Sequence, residues 1–355
     1  MANNENNPQI RAARFGATTR QHFQMLGTQR VSGGAQTVTF RIPKARLLQG
    51  VRILVEGKIK VKHASGTAFT TDDMTAYKAI RRLSIDLNNG FSPVTLAGSE
   101  MMLVNSLYPN PGILKAAEDD STLCKIPATL KASSAGTDNE FEFMLDVPNT
   151  LNYRDPVGLI LAQNAETTID LIIDVANAMD MLGNAAGYTA EFVDLAFTPQ
   201  VTTFSVPSDA RAFPDLSVLK VLDSRNESIT TGMNYVKLPT GMIYRKVLLK
   251  FEKEDGTPMS VEDITSNIEL ILNTADIPYS ISPKMLRYVN KMMGGASLPE
   301  GIFYWSFDFQ GMNGYGGARD YIDSERVTEF AVRFSAGCAG KLTVISEKLS
   351  RLVSQ

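Results

Sequence analysis

Along most of the chain, apolar residues fall two apart. Val51, Ile53, Val55, Ile59 and Val61 alternate with Arg52, Lys58, Lys60 and Lys62, which predicts an extended strand with one dry and one wet face. Asn89-Gly90 separates Leu83-Ser-Ile85-Asp-Leu87 from Val94-Thr-Leu96, the mark of a hairpin with a tight turn. Asp255-Gly256 marks another turn, and Ser335–Gly340 joins the strand around Phe330–Phe334 to that around Leu342–Ile345. Helical spacing is scarce. Residues 1–9, rich in Asn and holding Pro8, predict disorder. Ile10–Leu26 contains Ala12, Ala13 and Ala17 without Pro and predicts a helical arm ended by Gly27. Gly98–Leu107 and Pro283–Met292 predict two short helices, each with Met and a Val-Asn pair.

The strand pattern occurs twice. Ile42-Pro43, Leu47-Leu48, Val51, Ile53, Val55 and Glu56 return 196 residues later as Leu238-Pro239, Ile243-Tyr244, Val247, Leu249, Phe251 and Glu252, and Leu26 and Thr28 face Leu222 and Ser224 at the same offset. Phe141–Asp146 then resembles Phe303–Asp308 at 162, and Arg154-Asp155 is echoed by Arg319-Asp320. Ile169, Leu171 and Ile173 match Phe330, Val332 and Phe334 at 161, and the strand around Phe192 matches that around Leu342 at 150. A falling offset means that loops of the first copy are longer while strands hold their places. Pro199, Pro207 and Pro214 predict an extended connection between the copies rather than sheet interior. The expected organisation is an arm over 1–35, a first domain over 36–204, and a linker with a second domain over 205–355. About eight short strands per half at sandwich spacing make the expected fold all-β. It consists of two tandem eight-stranded jelly rolls (a double jelly roll), with short helices in loops and an N-terminal helical arm.

Composition narrows the function. At 355 residues the chain exceeds what one core organises, and 44% apolar with 21% charged residues is that of a globular protein. No apolar run approaches the roughly 20 residues that span a bilayer. The polar start Met1-Ala-Asn-Asn-Glu-Asn-Asn carries no secretory pattern, so a cytoplasmic site of synthesis is expected. The formal charge of −3 conceals an asymmetry. Residues 1–35 hold Arg11, Arg14, Arg20 and Arg30 against Glu5, whereas the remainder holds 31 basic and 37 acidic residues. A basic tip on an acidic body points to an anionic layer or an acidic neighbour; a solvated, frayed terminus is the plainer alternative.

Catalytic chemistry finds little to use. His22 and His63 are the only histidines, which leaves no His-based triad or metal cluster. Cys124 and Cys338 are too few for a disulfide framework and read as small, half-buried residues. The pairs Asp72-Asp73 and Asp119-Asp120 suit solvated loops better than calcium binding or glycoside cleavage, which needs carboxylates about 5–10 Å apart across a cleft. Gly311–Gly317 lacks the Lys-Ser/Thr of a phosphate loop. Phe303, Trp305, Phe307 and Phe309 alternate as sandwich core. Aromatics are not interleaved with basic residues, so no direct nucleic-acid readout is expected. The expectation is a protein that is no enzyme, with no catalytic residue, metal or cofactor.

Leu298-Pro-Glu-Gly-Ile-Phe-Tyr-Trp-Ser-Phe, followed by Ser324-Glu-Arg-Val-Thr-Glu-Phe-Ala-Val-Arg-Phe, resembles the final strands of the second jelly roll in major capsid proteins of the double jelly-roll viral lineage. The likeness is greatest to tectiviruses, internal-membrane phages of Gram-positive hosts, and the arm Ile10–Leu26 resembles their membrane-facing N-terminus. The resemblance implies a structural coat protein of an icosahedral virion, localised in the shell, built as homotrimers that give pseudo-hexagonal capsomers. Its partners would be neighbouring trimers, minor capsid or vertex proteins, and virion membrane lipid met through Arg11, Arg14 and Arg20. Tandem jelly rolls also occur in glycan-binding and glycan-cleaving proteins, and the loops 64–79 and 109–139 are long enough to shape a cleft. That alternative stays open on sequence.

Overall fold

The structure, a computed structural model, describes residues 8–88, 90–107, 125, 127–150, 156–163, 166–273, 276–294, 298–307 and 321–351. The chain forms two compact units, the first running through Lys220 and the second spanning Val221–Arg351. Each is a sandwich of antiparallel sheets.

In the first unit the strands are β1 (Gln21–Met25), β2 (Gln29–Gly33), β3 (Thr37–Arg41), β4 (Leu47–His63), β5 (Phe69–Thr70), β6 (Ile80–Leu87), β7 (Phe91–Leu96), β8 (Thr129–Leu130), β9 (Thr137–Pro148), β10 (Ile160–Leu161), β11 (Ile169–Val175) and β12 (Tyr188–Phe204). One sheet lays β1 and β2 end to end along β12, then β4, with β9 and β10 on the far side of β4. The other sheet runs β3, β11, β6, β7. Alternation along β4 and β9 turns Val51, Ile53, Val55, Phe143 and Leu145 inward, where all are fully buried. Gly57 in mid-strand is explained by its neighbour: a Cβ there would stand 2.2 Å from the Phe141 ring, so the ring occupies the space that the glycine leaves.

In the second unit the strands are β13 (Val218–Ile229), β14 (Gly232–Lys237), β15 (Ile243–Lys253), β16 (Ile268–Leu272), β17 (Asp276–Ile281), β18 (Ile302–Ser306), β19 (Ile322–Asp323), β20 (Phe330–Ala336) and β21 (Gly340–Arg351). The sheets run β18, β15, β21, β13 and β14, β20, β16, β17. They close on one core in which Tyr244 meets Phe330 at 4.7 Å and Phe251 meets Phe334 at 5.0 Å, both edge-on. Phe303, Trp305 and Phe307 join that core, as their alternation predicts; Phe309 lies outside the described residues.

The two strand orders coincide: β3, β11, β6, β7 stand as β14, β20, β16, β17 do, and β12, β4, β9 as β21, β15, β18 do. Backbone hydrogen bonds verify the repeat residue by residue. Ile42 N–H donates to Ile169 O, and Leu238 N–H to Phe330 O, which fixes the offsets 196 and 161 together. Pro43 therefore corresponds to Pro239 and Val51 to Val247. Elsewhere the ladders correct the register. Ile53 faces Leu145 and Leu249 faces Phe303, so β9 matches β18 at offset 158, four residues from the 162 suggested by the aromatic pattern. An even slip keeps every side chain on its face, which is why the pattern matched at the wrong step. Likewise Phe197 faces Val55 as Leu342 faces Phe251, offset 145 instead of 150, because β12 is bulged between Phe192 and Asp194.

Three helices carry side chains that matter below: α1 (Pro8–Thr18), α2 (Gly98–Ser106) and α3 (Pro283–Gly294). The arm differs from its expected helix over Ile10–Leu26. The helix ends at Thr18, where the hydroxyls of Thr18 and Thr19 bond back to the carbonyls of Arg14 and Phe15, and Gln21–Met25 becomes β1. An unfilled edge of β12 offers that segment a full ladder, which outweighs its weak helical preference. Pro199 also lies inside a sheet, contrary to the expected connection. Its carbonyl accepts from Leu26 N–H, so its missing donor falls at the break between β1 and β2. The segment after β12 packs on the first unit, where Val206 and Leu216 lie against Phe15, Leu47 and Leu159.

Candidate functional site

The residues singled out for chemistry are dispersed. His22 sits on β1, half-buried, while His63 ends β4 and stacks on Tyr188 at 4.4 Å. Asp72 closes a local turn, accepting from Met74 N–H, the Thr75 hydroxyl and Lys78 Nζ. Burial opposes its ionisation, yet Thr75 and Lys78 prevail and hold the carboxyl below the ordinary range. Cys338 is half-buried beside the second core. Asp119, Asp120, Cys124 and Gly311–Gly317 lie outside the described residues. Among the described residues no three His, Cys, Asp or Glu side chains gather as a metal set, and no helix is long and apolar enough to cross a membrane.

The arm's arginines have unequal surroundings. α1 packs on the turn Ala210–Ala212, with Phe15 buried and edge-on to Phe204 at 5.3 Å. That contact turns Arg14 to the body, where its Nη1 is buried without a hydrogen-bond partner. Asp209 is held below its ordinary value first by the Arg211 backbone N–H and guanidinium, and further by Arg14. Arg30 pairs with Asp194 across β2 and β12. Arg11 is half-buried and Arg20 exposed. Beside Arg20, Phe23 and Met25 point outward from β1. Part of the basic excess is thus answered by acids of the same chain.

Two asparagines that sequence reading noted only as a repeated Val-Asn pair prove structural. On α2, Asn105 Nδ2 donates to Asp146 O at 2.6 Å, and Asp146 N–H donates to Asn105 Oδ1 at 3.0 Å. On α3, Asn290 makes the same two bonds with Tyr304, at 2.7 and 3.0 Å. Each amide therefore does for β9 or β18 what another strand would do, and answers backbone groups that an edge strand leaves open.

Outer surfaces are where the copies diverge. The outward positions of β3 are Thr37, Thr39 and Arg41, but those of β14 are Met233, Tyr235 and Lys237. α2 buries Leu103, whereas Tyr288, its counterpart on α3, is exposed. A repeat whose cores agree and whose surfaces differ assigns the specific work of the chain to those surfaces.

The fold so defined is the double jelly roll of viral major capsid proteins. No protein-family model matches the chain, and no curated protein does. Among solved structures it is similar to the MCP of STIV, the Sulfolobus Turreted Icosahedral Virus, at 12% identity and TM-score 0.68, covering 94% of this chain and 97% of that one. It is also similar to the PBCV-1 virus capsid, at 11% identity and TM-score 0.62, covering 95% and 98%. A third similarity is to the major capsid protein P2 of bacteriophage PM2, at 11% identity and TM-score 0.55, covering 95% and 99%. At such identities the likeness is one of fold.

Proposed function

We propose that this chain is the structural major coat protein of an icosahedral virion. The observation that carries the reading is the tandem repeat of one sandwich, matched end to end by capsid proteins over 94% or more of both chains. Three copies of two similar sandwiches give six similar walls around one axis, a capsomer that tiles a near-hexagonal lattice. A closed ring also leaves few sheet edges open. Function then resides in interfaces, with self-association as the required activity. The finer reading is of tectivirus type: a homotrimer over an internal membrane, joined to neighbouring trimers and to minor vertex proteins. Arg11 and Arg20 of the arm would face lipid headgroups, while Arg14 braces α1. A basic residue near an anionic surface contributes on the order of 1 kcal/mol, so the attraction becomes strong through the many copies of a shell.

The test is the mass of the purified protein in dilute solution. A species three times 38.8 kDa is expected, whereas a 38.8 kDa monomer persisting at high concentration overturns the reading.

A further inference from the structure

The first copy bears a local excess of negative charge. On the outer face of β4, Glu56 stands directly opposite Glu142 of β9, and like charges so placed repel. Neighbouring pairs on this face are compensated: Arg52 with Asp146, Lys58 with Glu140, Lys60 with Asp138. Glu56 and Glu142 have no ion pair among the described residues, and the basic residue beside them is Lys125, bridged to Glu142 on the far side of β9 by two backbone hydrogen bonds. The second copy shows what is missing. Glu252, the counterpart of Glu56, is paired with Lys250 at 2.7 Å, and the position of Lys250 is occupied in the first copy by Leu54. Leu54 lies opposite Met144, which is 55% exposed. The result is an apolar spot next to two carboxylates that share a single lysine neighbour, Lys125, and so keep an excess of negative charge.

The second copy bears the converse. α3 contains Lys284, Arg287 and Lys291 and no acid. Its Leu286 and Asn290 face inward, and Met285, Tyr288 and Met292 form one stripe at 56, 64 and 79% exposure. Lys284 and Lys291, two turns apart, border that stripe on one flank. Arg287 is engaged with the Leu298 carbonyl, but the two lysines have no ion pair among the described residues. In the first copy the centre of the same helix face is interior: Leu103, the counterpart of Tyr288, is 0% exposed, Glu100 and Leu107 beside it are half-buried, and α2 packs on the turn Ala76–Ala79. The fold thus uses this face for packing in one copy and leaves it open in the other.

We propose that the α3 face of one molecule seats on the Glu56–Glu142 patch of a second molecule of the same chain. Lys284 and Lys291 then neutralise the two carboxylates, and Tyr288, Met285 and Met292 cover Leu54 and Met144. The contact joins unlike surfaces, so it is heterologous, the kind that forms a ring where its rotation closes. It rests on the shell-protein reading and names the surface through which that assembly forms.

Charge reversal tests it. Lys284→Glu with Lys291→Glu should weaken association of the full chain at least tenfold, as should Glu56→Lys with Glu142→Lys, and all four changes in one chain should restore it. Glu142→Gln gives a second, opposite signature: relief of the repulsion raises the Tm of the dilute, dissociated chain while association weakens. A Met144→Cys, Tyr288→Cys chain lacking Cys124 and Cys338 should oxidise to intermolecular disulfides, and an intramolecular bond overturns the proposal. If the wild type associates and the charge variants associate equally well, this surface is refuted while the shell reading stands. If the wild type never associates, both fall. Loss of binding to anionic vesicles without loss of association makes α3 a lipid-facing helix instead and also overturns the proposal.

Discussion

Asn105 and Asn290 show how much one side chain holds in this fold. Each satisfies a backbone donor and acceptor of a strand that has one ladder partner, and each is itself buried. Truncation strands all of these groups away from water, where an unmade hydrogen bond costs about 1–3 kcal/mol. Asn105→Ala and Asn290→Ala should each lower unfolding stability by about 2–3 kcal/mol, seen as a reduced denaturant midpoint at unchanged slope. A loss below ~0.5 kcal/mol would mean that water replaces the amide. The Val-Asn pair was visible in the sequence as a repeated dipeptide, but its role was not, because the receiving strand lies 41 residues away in the first copy and 14 in the second. Asp72 gives a pH prediction. Its folded-state pKa is depressed, so its stabilisation is present above the unfolded value near 4 and is lost as pH falls through the folded one. Melting profiles of Asp72→Asn should therefore show a shallower loss of Tm than the wild type below about pH 4 and a lower Tm at pH 7.

Among the elements, the arm most changes the picture drawn from sequence. The pattern of Ile10–Leu26 fits a helix, and the upstream end of the repeat, Leu26 and Thr28 matching Leu222 and Ser224, reaches only its last residue. The strand prevails over Gln21–Met25 because β12 offers a ladder that no local pattern discloses. Pro199 misled in the same way, since the break between β1 and β2 that accommodates it is a tertiary fact. Strand alternation, by contrast, was legible throughout, because a buried sandwich face enforces period two on each strand by itself. Register was less legible: even slips preserve faces, so the 158 offset of β9 and β18 emerged only from their ladders. The arm's two halves should separate experimentally. Phe15→Ala should cost about 3 kcal/mol as a core truncation, while Arg20→Ala should leave the melting temperature unchanged. In co-flotation with anionic vesicles at low salt, Arg11→Ala and Arg20→Ala should reduce recovery, and high salt should do the same. Equal recovery from neutral vesicles would argue that the arm meets protein and not lipid.

At the scale of the whole molecule, duplication joins sequence to function. Under the proposed function, two sandwiches with matching cores and different surfaces would let a few chains build a ring of many similar walls, each copy presenting its own contacts. The repeat at offset 196 already pointed to two sandwiches in one chain, and the backbone hydrogen bonds establish that repeat. The unlike surfaces were not legible, because exposure of Met233, Tyr288 or Met144 depends on what the fold leaves uncovered. The central claim is that the chain builds a shell from six-walled capsomers. Electron microscopy of the purified protein at assembly concentration addresses it most directly. Class averages should show a ring of six lobes contributed by three chains. Single two-lobed particles at every concentration would contradict the account.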